Sequence, residues 1–291
     1  MGFYDLLSDK RILTHPDCRP SRFYLIKSYN TLAFTNNFPF TDGSRAIPGH
    51  WIHTAKRNAQ GEVVKLKARC VADGNHQVYG RDFLETYAAT PAPEIARLLL
   101  TIAAAKDWEV HQMDVDCAYL NAPLEEPVYM YIPQGVDLDH QPGQILKLVK
   151  ALYGLKQAGH EWAKFLKEIL EKLGWKQSQR DQCLYSMGKD QHLLVYVDDL
   201  LMVTPTLASM KRRKEDLSNV LKIKDLGEIN EYIGIHVKRN KKDKSFVMKQ
   251  TGLIQESIDL MLPERSNNIP IHPFTDMYCT SEILNPTKHN L

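Results

Sequence analysis

Two apolar runs, residues 193–197 and 200–203, are separated only by Asp198-Asp199. So short a connection leaves room for little except a tight hairpin, and the runs read as two strands with the carboxylates at the tip. Two readings fit that tip. Asp tolerates turn conformations, so it fits a solvated loop. It equally fits a tip pointing into a cleft and binding a divalent cation. Adjacent like charges repel and raise one another's pKa unless a metal supplies the compensating charge. Hard oxygen ligands of this kind suit Mg²⁺, which takes one or two carboxylates plus substrate phosphates.

A second acidic site lies upstream in Gln112-Met113-Asp114-Val115-Asp116. A strand is expected over 110–119, and its period of two would set Asp114 and Asp116 on one side. Spacing alone makes them equal candidates, and an ordinary strand with a wet polar face fits as well.

The surroundings predict an α+β fold, with helices packed on one face of a mainly antiparallel sheet. An exposed strand is expected over 63–71, carrying Lys65, Lys67 and Arg69. Pro91 and Pro93 precede Ile95, Leu98, Leu99, Ile102 and Ala103, whose spacing predicts an amphipathic helix. A short strand follows at 128–132. A second helix presents Trp162, Phe165, Leu166, Ile169, Leu170 and Leu173 on one face and closes at Gly174. Residues 206–221 read as a helix with Leu207, Met210, Leu217 and Leu221 inward. Residues 232–237 and 245–249 flank a basic turn as a hairpin, and 252–260 reads as a last helix.

Composition narrows the function classes. The 291 residues carry a net charge of +2, so partners must be read from local charge. Five scattered cysteines without a Cys-x-x-Cys argue against a disulfide framework or zinc knuckle and for a reducing compartment. The start lacks a secretory pattern, and the apolar windows are too short or interrupted to span a bilayer, so no membrane partner is expected.

The carboxylate sites belong to a longer pattern. Met113-Asp114-Val115 with Ala118-Tyr119-Leu120-Asn121, Val128-Tyr129-Met130 with Pro133 and Gly135, Leu152-Tyr153-Gly154-Leu155-Lys156-Gln157-Ala158, and Tyr196-Val197-Asp198-Asp199 occur in that order. Lys67-Ala68-Arg69 and Glu85-Thr86-Tyr87-Ala88 precede them; Asp225-Leu226-Gly227-Glu228 and Tyr232-Ile233-Gly234-Ile235 follow. Together these blocks resemble the reverse transcriptase of copia-type LTR retrotransposons, with yeast elements among the expected relatives. Four residues such as Tyr-Val-Asp-Asp recur by chance, whereas ordered blocks from Trp51 to Lys249 are specific.

The resemblance implies a right-hand polymerase palm with partial fingers and thumb. Asp114 matches the family's first catalytic aspartate, Asp198 and Asp199 the pair at the hairpin, and Asp116 becomes a bystander. The implied chemistry is nucleotidyl transfer, in which a primer 3′-hydroxyl attacks the α-phosphate of a dNTP. Two Mg²⁺ ions about 3.5–4 Å apart would clamp the attacking and leaving oxygens, held by Asp114, Asp198, Asp199 and the Val115 carbonyl. Tyr119 would exclude a ribonucleotide's 2′-hydroxyl, Gln157 would contact the dNTP, and Lys67 and Arg69 would hold its triphosphate. The hairpin holding Gly234 would grip the primer. Tyr196, Lys211, Arg212, Arg213, Lys238 and Arg239 would line a track for RNA template and DNA primer, neutralising phosphates without reading sequence.

The resemblance covers residues 49–249. Residues 1–48 form an unmatched extension, and 250–291 read as a truncated connection-like tail. RNase H and integrase portions of the same polyprotein are expected partners, in cytoplasmic virus-like particles with nuclear entry as an alternative. The rival to an active enzyme is a catalytically silent remnant that at most binds nucleic acid. A different palm-type nucleotidyltransferase is disfavoured by Tyr119 and the 152–158 block.

Overall fold

The computed structural model describes residues 32–35, 45–57, 62–134, 144–261 and 276–280. Along the chain these form β1 (Leu32–Thr35), β2 (Ala46–Ile47), β3 (Gly49–Arg57), β4 (Val63–Ala72), α1 (Pro93–Lys106), β5 (Glu109–Val115), β6 (Pro123–Met130) and β7 (Ile145–Lys150). Then come α2 (Ala158–Lys172), β8 (Lys176–Gln177), β9 (Leu184–Met187), β10 (Gln191–Tyr196), β11 (Asp199–Thr204), α3 (Leu207–Ser218) and β12 (Ile223–Glu228). The last are β13 (Glu231–Tyr232), β14 (Ile235–Asn240), β15 (Ser245–Lys249), α4 (Thr251–Met261) and β16 (Asp276–Thr280). This is a mixed architecture, mostly strand, with few helices.

The chain divides into two units, each built from separated segments: residues 1–88 with 117–166, and residues 89–116 with 167–291. The first holds a sheet in the order β1-β7-β6-β2 and a β3–β4 ribbon. Its core gathers Ile47, Met130, Leu146, Leu148 and Leu152, each almost fully buried. The Leu152–Ala158 block turns at Gly154, where φ is +91° and an added Cβ would fall 2.0 Å from the Ala72 carbonyl oxygen. That closeness lets Ala72 N–H donate to Tyr153 O at 2.8 Å.

The second unit holds an antiparallel six-stranded sheet, β12-β5-β11-β10-β9-β8, and a smaller sheet, β13-β14-β15-β16. Pro93 opens α1, and its buried stripe is Ala96, Leu99, Leu100, Ala103 and Ala104. Leu98, expected inward, is 49% exposed. Burying Leu99 and Leu100 contributes roughly 1.5–3 kcal/mol each. They share one cluster with Val110, Leu194, Leu201 and Val203 of the larger sheet and Val237, Phe246 and Met248 of the smaller one. Thr206 and Ser209 form a reciprocal capping box that starts α3. Met210 and Leu217 of α3 are buried as expected, while Leu207 is exposed.

Helices occupy both faces of the six-stranded sheet, which corrects the single-face expectation. Side chains alternate along β5. Val110, on the face shared with Gln112 and Asp114, meets α1. His111, on the opposite face, meets α3 through Lys214 Nζ at 2.7 Å.

Candidate active site

The β10–β11 hairpin differs from its sequence reading by one residue. Tyr196 pairs with Asp199, so the two-residue loop is Val197-Asp198 and Asp199 begins the returning strand. Val197 has a φ of +53°. Primed hairpin turns require positive φ at the first loop position, where glycine is usual. A β-branched residue in that conformation costs about 1–2 kcal/mol, so the tip is strained.

The neighbouring strand holds this tip. Asp199 pairs directly with Asp114 across the β5–β11 ladder. Facing residues in such a ladder have Cα atoms roughly 4.5–5.5 Å apart. Val115 N–H donates to Asp198 O at 2.8 Å, binding the end of β5 to the loop. Asp114 and the Asp198-Asp199 pair, more than eighty residues apart along the chain, thus meet at one end of the two central strands β5 and β11. On the next strand Lys224 faces Asp114, which makes a cross-strand row of Tyr196, Asp199, Asp114 and Lys224 on one face.

Asp199 lies in a negative environment. Burial pushes its carboxyl above the ordinary aspartate value, Asp198, Asp114 and Glu231 add repulsion, and a hydrogen bond from Gln112 opposes them. Gln112 Nε2 donates to Asp199 Oδ1 at 3.4 Å. The same-face spacing of Gln112 and Asp114 offered a sequence signal for this contact; Glu231 and Lys224 offered none.

The donor set fits a divalent cation in kind: three hard carboxylates, one of them destabilised by its neighbours, a repulsion that a dication would reverse. Among the described residues, no group of three or more His, Cys, Asp or Glu side chains is arranged to hold a metal ion.

Asp116 stands apart. The strand ends at Val115 rather than at 119, because Cys117 takes a left-handed conformation with φ +56° and a 3₁₀ turn follows at Ala118–Asn121. Asp116 N–H donates to Lys222 O at 2.9 Å, and its carboxylate pairs with Lys222 Nζ at 3.3 Å.

The residues expected at the dNTP belong to the first unit. Tyr119 lies on the 3₁₀ turn, half-buried, with its ring 4.9 Å from that of Tyr153. Lys67 and Arg69 are two positions apart on β4, which places them on one face; Arg69 is half-buried, and the Lys67 side chain lies outside the described ones. Gln157 is enclosed by its own unit. It is only 4% exposed, and it accepts from Gln77 Nε2 at 3.0 Å while donating to Asp82 O at 2.9 Å. The amide serves to hold the 77–82 segment.

The basic residues expected along a nucleic-acid track differ in exposure. Lys211 and Arg212 are exposed on α3, which covers the sheet face opposite the carboxylates. Arg213 is turned inward, 9% exposed, and pairs with Asp216 at 2.9 Å. Arg239 is likewise internal, with a side chain 6% exposed and bonded to Asp107. Alternation explains this, because Arg239 shares a face of β14 with buried Val237. Lys238, on the other face, remains exposed. Gly234 sits with Ile233 in a two-residue loop between β13 and β14, both with positive φ. The expected strand over 232–237 is therefore itself a hairpin.

Comparison with known proteins places the chain. The family model for reverse transcriptase (RNA-dependent DNA polymerase) matches residues 35–265, and the chain belongs to that family. Its relatives are Pol polyproteins of copia-type retrotransposons. It is 28% identical over 270 residues to the retrovirus-related Pol polyprotein from transposon TNT 1-94 of Nicotiana tabacum, covering 88% of this chain and 20% of the relative. It is 32% identical over 251 residues to that from transposon RE1 of Arabidopsis thaliana, covering 82% and 17%. A transposon Ty5-1 protein of Saccharomyces cerevisiae is 33% identical over 128 residues, covering 43% of this chain and 42% of the relative. The chain therefore spans about a fifth of the polyproteins it matches. Among the described residues, no helix is long and apolar enough to cross a membrane.

Proposed function

We propose that the chain is an RNA-directed DNA polymerase core: a palm with partial fingers and thumb that joins dNTPs to a primer 3′-hydroxyl on an RNA template. The supporting observation is the direct pairing of Asp199 with Asp114, beside a loop that carries Asp198. Residues 49–249 carry the polymerase in this reading, 1–48 an extension and 250–291 a connection-like tail. Asp114, Asp198, Asp199 and the Val115 carbonyl are the residues that would hold two Mg²⁺. When bound, such ions stabilise the attacking and leaving oxygens of an in-line displacement.

The chain's own contribution is positioning and charge. The Val115–Asp198 backbone bond and the Gln112 hydrogen bond orient the acidic groups before substrate arrives. Tyr119, buttressed by Tyr153, is the proposed selector against a 2′-hydroxyl. Lys67 and Arg69 are proposed for the triphosphate. Lys238 and the Ile233–Gly234 loop, with Tyr196 in the carboxylate row, are proposed for primer and template. RNase H and integrase portions of a polyprotein are the proposed neighbours, and a cytoplasmic virus-like particle the proposed setting.

Primer extension on an RNA template tests this reading. With Mg²⁺ and dNTPs the chain should extend a DNA primer, and Asp198→Asn should lower extension by at least about a hundredfold while template binding stays nearly intact. Equal extension by the variant would overturn the metal-ligand assignment. No extension by the unmutated chain would overturn the activity and leave a silent member of the family.

A further inference from the structure

Arg239 departs from the behaviour of a phosphate-binding residue in ways that suggest another task. Its Nη2 donates to Asp107 Oδ1 at 2.7 Å. Its Nη1 stands 3.8 Å from both Glu109 and Glu228 without a hydrogen-bond partner. The guanidinium lies 5.4 Å from the ring centre of Phe246, its directly paired neighbour on β15. Lys241 adds a contact of 3.7 Å to Glu109.

The three carboxylates come from three elements. Asp107 ends α1 in a left-handed conformation, Glu109 opens β5, and Glu228 closes β12. An acidic group at a helix C-terminus opposes the helix dipole, and the left-handed position there usually belongs to glycine. A buried guanidinium offsets the charge, and its planar fork reaches several carboxylates at once. Removing one partner of such a cluster leaves uncompensated charge indoors.

The place of this contact matters more than its strength. Glu109 opens β5 and Asp114 lies one residue before its other end, about 16 Å away at the usual rise per residue. The β14 strand that carries Arg239 begins just after the Ile233–Gly234 loop. Tyr232, which enters that loop, shares a buried cluster with Leu194 and Leu201, and Leu201 lies two residues from Asp199 on the same face of β11. The hairpin is thus pinned at one end of β5 while its loop lies near the carboxylates at the other.

We propose that Arg239 is a positioning residue: it latches β14 to the end of β5 remote from Asp114 and so fixes the Ile233–Gly234 loop for the primer terminus. The primer role rests on the polymerase reading above; the latch does not.

Two measurements on the full chain separate them. Arg239→Met keeps the aliphatic stem and removes the fork, and Arg239→Lys retains charge. Hydrogen exchange should accelerate about tenfold at residues 231–237 in Arg239→Met, with β5, β10 and β11 unchanged. Arg239→Lys should recover part of the protection. Unchanged exchange at 231–237, or equal acceleration throughout the six-stranded sheet, would overturn the latch. In single-nucleotide extension, Arg239→Met should lower kcat about tenfold and move the primer–template KM by no more than about twofold. A raised KM with unchanged kcat would mark a direct nucleic-acid ligand and overturn the positioning role. If the unmutated chain does not extend primers, the polymerase reading fails and the exchange result still decides the latch.

Discussion

At Gln157 one amide connects two segments. It accepts from Gln77 and donates to the Asp82 carbonyl. Gln157→Ala should therefore lower the unfolding free energy by about 1–3 kcal/mol, read as a lower urea midpoint. An unchanged midpoint with a raised KM for dNTP would instead support the nucleotide contact that the family resemblance implies. The pairing of Asp114 with Asp199 was legible only through the family resemblance, because the period of two left Asp114 and Asp116 equal and the apolar runs set the hairpin connection one residue late. The contacts of Gln157 and Arg239 were not legible, since their partners are distant: Gln77 is 80 residues from Gln157, and Asp107 is 132 from Arg239. Nothing in the basic stretch around Arg239 points to the three carboxylates that stand beside it.

Elements were read well in kind and less well in orientation. Helices α1, α2 and α3 lie where apolar spacing put them, but Leu98 of α1 and Leu207 of α3 face outward. Spacing defines an apolar arc; the neighbouring sheet selects the part of the arc that is buried. Ends failed where backbone chemistry intervened: Cys117 stopped β5, and Ile233-Gly234 folded an expected strand back on itself. Glycine positions permit a contrast between two turns. Gly154→Ala drives a Cβ into the Ala72 carbonyl, so it should cost about 3 kcal/mol or more. Gly188→Ala has a similar positive φ but open space around it, so it should cost only about 1 kcal/mol. Thermal melting of the two variants checks this; equal shifts would show that backbone conformation alone sets the penalty at Gly154.

Stability of the whole chain should depend on acidity through a network that the sequence did not disclose. Lys214 reaches His111 Nδ1 at 2.7 Å and Asp225 Oδ1 at 2.6 Å, joining α3, β5 and β12. Burial and the Lys214 charge depress the His111 pKa below 6.5, despite the nearby Asp225, Glu109 and Glu228. Burial, opposed by the Lys214 hydrogen bond and the Gly227 N–H, leaves the Asp225 carboxyl below its ordinary 3.8. Both shifts have the same sign. The His111 contribution is complete above about pH 6.5 and is lost as pH falls toward its folded value, and the Asp225 contribution fails at still lower pH. The urea midpoint should fall between pH 7 and pH 5, and less so in His111→Gln; identical slopes would exclude His111 as a source. The division into two units could not be read in advance either, because each unit draws on separated stretches of chain. The β15–β16 pairing bears on how fragments are made. The family match stops at residue 265, whereas β16 lies beyond it. Recombinant pieces trimmed to that boundary would bare the β15 edge and invite intermolecular strand addition and aggregation, so they should extend at least to Thr280.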